Sequence, residues 1–502
     1  MNATRRALLS VTDKTGLDLL GPALVRHGYQ LVASGGTASA LAALGLEVTE
    51  VSDLTGFPEI FGGRVKTLHP LIHGGILGRD ANDFAAVEEL GLRPIDVVVV
   101  NLYRFAETAA SAGDPAAVIE KIDIGGPGLL RAAAKNCARV TALCDPRYYA
   151  EFLAELEAGQ GVAGAAFRRR MAAAVFAVTA NYDRDIRDWF LGEGMALRYG
   201  ENPHQKAFLR VGSATDPADA LAALGVVQHG GKELSFNNIV DLVAAVKLVD
   251  DFRDPCCAVI KHTNPCGFGL GAGAAGLERA LVCDPVSAFG GVFAFNAPVD
   301  EACAEILAQR FLEIVVAPGY APAALARLTR KKNLRVLTVD PEVFAARTAD
   351  RRKLWGDLEL VQEQDVGFPE LDEWKVAAGE EPDPETRRAL EMAWKVCKHG
   401  KSNAIVLAGN DATLGLGFGQ MSRVDSTELA VFKARNQGID LAGCVAASDG
   451  FFPFPDGIEK LAAAGARAVI APGGSIRDEE VAAAARDLGI IFILTGRRHF
   501  NH

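Results

Sequence analysis

Short apolar runs alternate with helical patterns over residues 6 to 145, the signature of a parallel sheet wrapped by helices. The candidate strands are RALLSV, YQLVAS, LEVTEV, DVVVVNLY and RVTALCD. TDKTG (12–16) and a helix from Leu17 follow the first strand, and SGGT (34–37) and a helix from Ala38 follow the second. Residues 147 to 191 read as helices with an alanine-rich apolar face. That face predicts a packed junction rather than a flexible linker. The boundary is expected near Leu191, dividing the chain into 1–191 and 192–502.

In the second part the apolar run CCAVI ends abruptly at Lys261-His262, and Asn264, Pro265 and Gly267 turn the chain. This predicts a buried strand whose last side chains enter a loop. The expected position is the C-terminal end of a parallel strand, where α/β proteins place their chemistry. Each cation of the pair disfavours the other, which favours a neutral imidazole, as a general base requires. A solvated strand end explains the pair equally well from this stretch alone.

A loose duplication bears on that choice. AVIKHTNPCGFGLG (258–271) pairs with AIVLAGNDATLGLGFG (404–419), 290–307 with 444–465, and 313–326 with 468–485. Two subdomains on one scaffold follow, at about 192–370 and 371–502. Opposite Lys261-His262 the second copy carries Leu407-Ala408. The scaffold therefore does not need the pair, which favours a functional reading.

Composition narrows the classes. A chain of 502 residues exceeds one ordinary core, and 49% hydrophobic with 23% charged residues is globular. A net charge of −11 argues against a nucleic-acid surface while leaving room for local basic pockets. No apolar run reaches membrane-spanning length, and MNATRRALLSV has no signal-peptide pattern. Nine scattered cysteines, many in apolar segments, suit reduced thiols in a cytoplasmic protein.

The two turns 12–16 and 34–37 put hydroxyls, free N–H groups and helix N-termini at one sheet edge, with Lys14 adding charge, which suits a phosphate. The same residue types also serve as ordinary caps. In GGRVKTLHPLIHGGIL (62–77), Arg64, Lys66, His69 and His73 lie in a stretch too glycine-rich for a plain helix or strand. His69 and His73 have metal-pair spacing, but Pro70 intervenes and no carboxylate completes a site, so basic side chains gripping a nucleotide are the better reading. In KIDIGGPGLLRAAAKN (121–136), Arg131 and Lys135 share a helix face, and both also fit a solvated surface. Pro265-Cys266 is similar to part of a zinc-deaminase signature. The H-x-E and the second cysteine are missing, since Gly267-Phe268-Gly269 follows, so zinc is not expected. GLGFG (415–419) is mis-spaced as a dinucleotide fingerprint.

SVTDKTG, SGGT, GGRVKTLHP, NLY and IDIGG…LLRAAAKN resemble the IMP cyclohydrolase domain of the bifunctional purine-biosynthesis family. LRYGENPHQKA, GKELSFNNIVDL, VIKHTNPCG, DPVSAFGG, KHGKSNAIV, GFGQMSRVDS, SDGFFPFPDG and RRHFNH resemble its AICAR transformylase partner. The resemblance implies an α/β fold: a methylglyoxal-synthase-like parallel-sheet domain, then a transformylase region of two duplicated cytidine-deaminase-like subdomains. It implies formyl transfer from 10-formyltetrahydrofolate to AICAR, giving FAICAR, then dehydrative closure to IMP, without a catalytic metal. It places the nucleotide phosphate at Ser34, Gly35, Gly36 and Thr37, with Thr12, Lys14, Arg64, Lys66, Thr67 and Asn101 lining the site. Tyr103, Asp123 and Lys135 would surround the closing ring, Lys135 transferring the proton. Cys137 stands where many relatives are expected to carry histidine.

In the transformylase, His262 would be the base and Lys261 would polarise the formyl oxygen. Arg198, Tyr199, His204 and Arg498 would bind the aminoimidazole nucleotide. Asn238, Ser287, Phe289, Gly290, Asn403, Arg423, Phe451, Phe454 and Asp456 would shape the nucleotide and folate pockets, with Phe451, Phe452 and Phe454 equally readable as core. The resemblance further implies a cytoplasmic homodimer without nucleic-acid or membrane partners. A zinc hydrolase and a nucleotide-binding protein without turnover are the rival readings.

Overall fold

The computed structural model describes residues 5–502 apart from 104, 112–113, 193, 212–218, 349–350, 356–357, 364, 366 and 369–372. The chain divides into two compact units, Met1–Gly192 and Glu193–His502.

The first unit is built on strands β1 (Arg5–Val11), β2 (Tyr29–Ala33), β3 (Val48–Glu50), β4 (Val97–Asn101) and β5 (Thr141–Leu143). They lie in the order β3-β2-β1-β4-β5 with every neighbour parallel. Their residues are apolar without alternation because helices cover both faces. Leu9, Leu31 and Val99 pack on one side with Leu20, Phe152 and Phe167. Leu8, Val32 and Val98 pack on the other with Leu129 and Leu130. The covering helices are α1 (Leu17–Arg26), α2 (Gly35–Ala43), α3 (Pro70–Leu77), α4 (Gly125–Lys135) and α5 (Ala165–Leu191), with the 149–158 helix between the last two.

Two expectations change here. The helix after β2 starts at Gly35, not Ala38, with Ser34 as its extended N-cap. Glycines cost little in a first turn whose N–H groups have no intrahelical partner. PLIHGGIL is also a regular helix, α3. Pro70 occupies its first position, where a missing N–H is harmless, and His69 caps it by accepting from the Leu71 amide at 3.2 Å. Its glycines allow close packing, since a Cβ on Gly75 would lie 2.6 Å from the Arg93 carbonyl.

The second unit holds two six-stranded sheets. The first contains β6 (Val226–Gly230), β7 (Cys256–Lys261), β8 (Asn264–Leu270), β9 (Val292–Phe295), β10 (Ile314–Ala317) and β11 (Arg335–Val339) in the order β8-β7-β9-β10-β11-β6. The second contains β12 (Lys375–Ala378), β13 (Ile405–Ala408), β14 (Thr413–Gly417), β15 (Val445–Ser448), β16 (Ala468–Ala471) and β17 (Ile491–Leu494) in the corresponding order β14-β13-β15-β16-β17-β12. Two pairs of helices follow the same plan: α6 (Phe236–Asp250) and α7 (Gly273–Cys283) in one copy, α8 (Pro384–His399) and α9 (Arg423–Asn436) in the other. The duplication thus extends to 226–250 and 375–399, where the sequences show no match. The copies join along their edges, where Leu270 N donates to Asp411 O at 2.8 Å and Phe268 N to Thr413 Oγ1 at 2.9 Å.

Lys261 does not end a parallel strand. β7 is antiparallel to both β8 and β9, and Asn264-Pro265 continue as strand rather than loop. His262-Thr263 form a two-residue hairpin turn with φ of 51° and 64°. Two left-handed residues give the twist that such a hairpin needs. The alignment with the second copy also shifts. Ile260 opposite Val292 corresponds to Ala408 opposite Val445, and Gly409 N closes its turn on Ala412 O at 2.9 Å. The partners of Lys261-His262 are therefore Gly409-Asn410, not Leu407-Ala408.

The glycines of CGFGL and LGLG have a packing role. A Cβ on Gly269 would come within 2.5 Å of Gly276 O on α7, and one on Gly267 would collide with Ala280 O. In the second copy Gly415 meets Ala430 O at 2.5 Å, and Gly417 would collide with Ser426 O on α9. Each helix lies directly on its edge hairpin because two side chains are missing. Gly267→Ala and Gly417→Ala should each destabilise the second unit by about 1–3 kcal/mol through overpacking. Denaturant unfolding would measure this, and an unchanged midpoint for both would refute it.

Candidate active sites

The first site opens at the C-terminal ends of β1, β2 and β4. Thr12, Lys14, Ser34, Gly36, Thr37, Arg64, Lys66, Thr67, Asn101, Tyr103 and Asp123 line a cleft of about 710 Å³. Gly35 belongs to it as well, since a Cβ there would lie 3.0 Å from Lys66 Nζ. The members do different work. Asn101 is buried and clamps the 12–13 turn: Oδ1 accepts from the amides of Thr12 (2.5 Å) and Asp13 (2.9 Å), and Nδ2 donates to Asp13 O. The Thr37 hydroxyl is also committed, accepting from Val11 N and from Lys14 Nζ, each at 3.1 Å. Lys14 donates to Val11 O as well, and burial lowers its pKa while Asp13 opposes the shift. The Ser34 hydroxyl makes no capping bond, and the first amides of α2 beside it suit an anion.

Two carboxylates complete the cleft and were not singled out in the sequence. Glu59 pairs with Lys66 at 3.1 Å, and Glu120 forms an ion pair with Arg64. Asp123 sits largely buried at the start of α4. Burial raises its pKa, against the Gly126 amide, which donates to it at 2.8 Å. Its backbone is held from α5 by Tyr182, whose hydroxyl accepts from Asp123 N at 2.7 Å and donates to Lys121 O at 3.2 Å. Tyr103 is half-exposed, with the Lys121 ammonium 5.9 Å from its ring centre.

Lys135 is not brought to this cleft. It is exposed in the last turn of α4, whose first turn forms the wall, and ten residues of helix separate the two ends by about 15 Å. Arg131 pairs with Asp183 at the surface. His69 is the cap of α3 and His73 is half-buried on it, its pKa lowered by burial. No group of three or more His, Cys, Asp or Glu arranged for a metal occurs among the described residues.

In the second unit the Lys261-His262 turn is the centre of a network. Lys261 Nζ donates to Phe289 O at 2.8 Å, and Gly290, at φ 69°, leaves room for it, since a Cβ there would lie 3.1 Å away. Ser287 is tied to Asp284 through its amide (2.9 Å) and its hydroxyl (2.7 Å). Phe289 is 66% exposed and stacks on Phe311. Asn264, directly after the turn, donates to His262 O and accepts from Lys401 N at 3.0 Å. From there the chain runs into Asn403, whose Oδ1 accepts from Arg423 at 2.9 Å. His262 is exposed at the tip.

Several expected ligand residues prove to be internal supports. Arg423 is only 8% exposed, and its guanidinium binds Phe451 O, Ser448, Asn403 and the fully buried Asp449. The Asn238 side chain closes a capping box with Ser235 at the start of α6. Phe452 is core, whereas Phe451 and Phe454 are exposed, the latter under Arg477. Asp456 is exposed and binds the Gly457 amide. Arg198 is exposed, 4.6 Å from the Tyr199 ring centre, and His204 is exposed nearby in the chain. Arg498 stacks on Phe500, and the terminal segment is anchored by Ser402 N donating to Asn501 O at 3.0 Å. Asp241 was not singled out in the sequence. It accepts from Thr263 N at 2.7 Å, and burial raises its pKa against the nearby His262 and Thr263 amides.

A roomy cleft lined by three cations and three carboxylates in one unit, and a Lys-His turn in the other, give the chain two candidate sites of an enzyme. Two family models match the chain, and the second begins within the first compact unit. The MGS-like domain matches residues 19–128 and the AICARFT/IMPCHase bienzyme matches 133–433. A bifunctional purine biosynthesis protein PurH from Dinoroseobacter shibae is 48% identical over 99% of both chains. One from Acidithiobacillus ferrooxidans is 46% identical over 100% of both, and one from Desulfitobacterium hafniense is 47% identical over 99% of this chain and 100% of its own. The chain belongs to the AICARFT/IMPCHase bienzyme family. It is a bifunctional enzyme of purine biosynthesis, pairing AICAR transformylase with IMP cyclohydrolase activity.

Thr263 is β-branched and left-handed, a conformation costing on the order of 1–3 kcal/mol that glycine adopts freely. Thr263→Gly should therefore stabilise the second unit by about 1 kcal/mol after glycine's extra unfolded-state entropy. A clear drop in thermal midpoint would show that the turn is not strained.

Proposed function

We propose that the Lys261-His262 turn carries out formyl transfer and that the cleft of the first unit closes the ring. The observation that carries this reading is the separation of the two machineries into different compact units. In formyl transfer the 5-amino nitrogen of AICAR attacks the formyl carbon of 10-formyltetrahydrofolate. His262 accepts the proton that the amine loses, and the Lys261 ammonium stabilises the negative charge growing on the formyl oxygen. Collapse of the tetrahedral adduct breaks the bond to N10, which leaves with a proton, giving FAICAR and tetrahydrofolate. The exposed Phe289, Phe451 and Phe454 rings offer flat apolar faces to the pterin. Arg198, Tyr199, His204 and Arg498 bind the nucleotide, while Asn403, Arg423 and Asn238 support the walls.

In the cleft the carboxamide nitrogen of FAICAR attacks its own formyl carbon, and the resulting carbinol loses water to give IMP. The phosphate lies on Ser34, Gly35 and Gly36, with Lys14, Arg64 and Lys66 supplying charge. Asp123, made less acidic by burial, is suited to hand a proton to the departing hydroxyl. This reading moves proton transfer from Lys135 to Asp123, with Tyr103 and Lys66 beside the ring. The chain acts as a cytoplasmic homodimer on small molecules, with 10-formyltetrahydrofolate as cosubstrate and no metal assigned to either step.

His262→Ala should lower formyl transfer by about 10²–10⁴-fold while added FAICAR is still cyclised. Asp123→Asn should do the reverse. Coupled and FAICAR-only assays on the same preparations decide the matter. Loss of both activities in one folded variant would refute the two-site reading.

A further inference from the structure

His262-Thr263 is the only pair of consecutive non-glycine residues with left-handed φ among the described residues. Such a turn persists only where its surroundings over-determine it. Beyond the hairpin itself and the Asn264 bond to His262 O, a tether lies on α6. Asp241 Oδ1 accepts from Thr263 N at 2.7 Å, its carboxylate largely buried beneath the turn.

The second subdomain supplies an internal control. Setting the N-cap of α6, Ser235, on that of α8, Asp383, superposes buried Leu242 on Leu390, Ala245 on Ala393 and Val249 on Cys397. The same alignment puts Ala389, fully buried, in the place of Asp241. It also puts Asn410-Asp411 in the place of His262-Thr263, and neither residue has a positive φ. The carboxylate and the left-handed turn therefore occur together in one copy, and both are missing from the other. A scaffold that folds with alanine and an ordinary turn does not need Asp241 for its own assembly.

We propose that Asp241 is a positioning residue for formyl transfer. It holds the turn in its left-handed form through the Thr263 N–H and so sets the direction in which Lys261 and His262 present their side chains. This inference rests on the assignment of formyl transfer to Lys261 and His262.

The test begins with Asp241→Ala, which installs the second subdomain's residue. Formyl transfer to AICAR and cyclisation of FAICAR are followed on the same preparation. Misplacing a base by about 1 Å costs roughly 100-fold, so kcat for formyl transfer should fall about that much, with the AICAR KM within about threefold and cyclisation unchanged. Asp241→Asn keeps an oxygen acceptor for the Thr263 amide and should lose less than about tenfold. The decisive variant is Asp241→Ala with Thr263→Gly. Glycine takes the left-handed φ without a tether, so the double variant should recover about tenfold over Asp241→Ala. Near-normal formyl transfer in Asp241→Ala would overturn the proposal. So would equal losses in the Ala and Asn variants without rescue by glycine, because the carboxylate would then be taking part in the chemistry. Formyl transfer that survives His262→Ala would instead overturn the underlying assignment, whatever Asp241 does.

Discussion

A sheet covered on both faces has no place along its strands for an unpaired polar group, because burying one without a partner costs several kcal/mol in an apolar core. That constraint governs both units. β4, β7 and β13 are buried almost throughout, so polar chemistry appears where the strands stop. In the first unit it gathers where β1, β2 and β4 end and helices begin, bringing N-termini and basic side chains to one rim. In the second unit the Lys-His pair stands at the tip of a hairpin. There the backbone takes a conformation that the core would not tolerate.

The duplication shows what the scaffold requires and what was added to it. Strand order, helix placement, N-cap positions and the paired glycines under α7 and α9 recur in both copies. They are conditions of packing. The Lys-His pair, the left-handed turn and the carboxylate beneath it occur once. The second copy contributes differently. Lys401 and Asn403 meet the turn through Asn264, and Arg423 with buried Asp449 braces that segment from below. One copy thus presents the Lys-His turn while the other supports it.

Both sites keep their cations occupied. Lys261 rests on a backbone carbonyl, Lys66 on Glu59, Arg64 on Glu120, and Lys14 on Val11 O and Thr37. Such contacts hold long side chains near their working positions, so less rotamer entropy is lost when a substrate arrives. Pairs at the surface such as Arg64–Glu120 are weak in water. Arg423–Asp449 is different in kind, a buried pair with its hydrogen bonds filled, fixed as framework.

The sequence by itself determined the alternation of strands and helices in the first unit and the existence of a duplication, while its resemblance to a family implied the motif residues that line the cleft. The alternation depends on local periodicity and on turn residues a few positions apart, so it is written in short windows, and the duplication on segments that repeat well over a hundred residues apart. Only the tertiary structure decided that PLIHGGIL is a helix, that NPCGFGL is a strand, and that Lys261-His262 sit on a hairpin. In the first two cases glycines that read locally as breakers pack against a distant segment, Gly75 on Arg93 and Gly267 on Ala280. The same is true of the supports. Asn101, Asn238 and Arg423 are polar residues in plausible motifs, and only their partners reveal that their side chains are already committed. Tyr182 and Asp241 act on residues 59 and 22 positions away. The separation of Lys135 from the cleft follows from the length of one helix. Long-range pairings of this kind leave no periodic trace, because folding alone brings the two partners together.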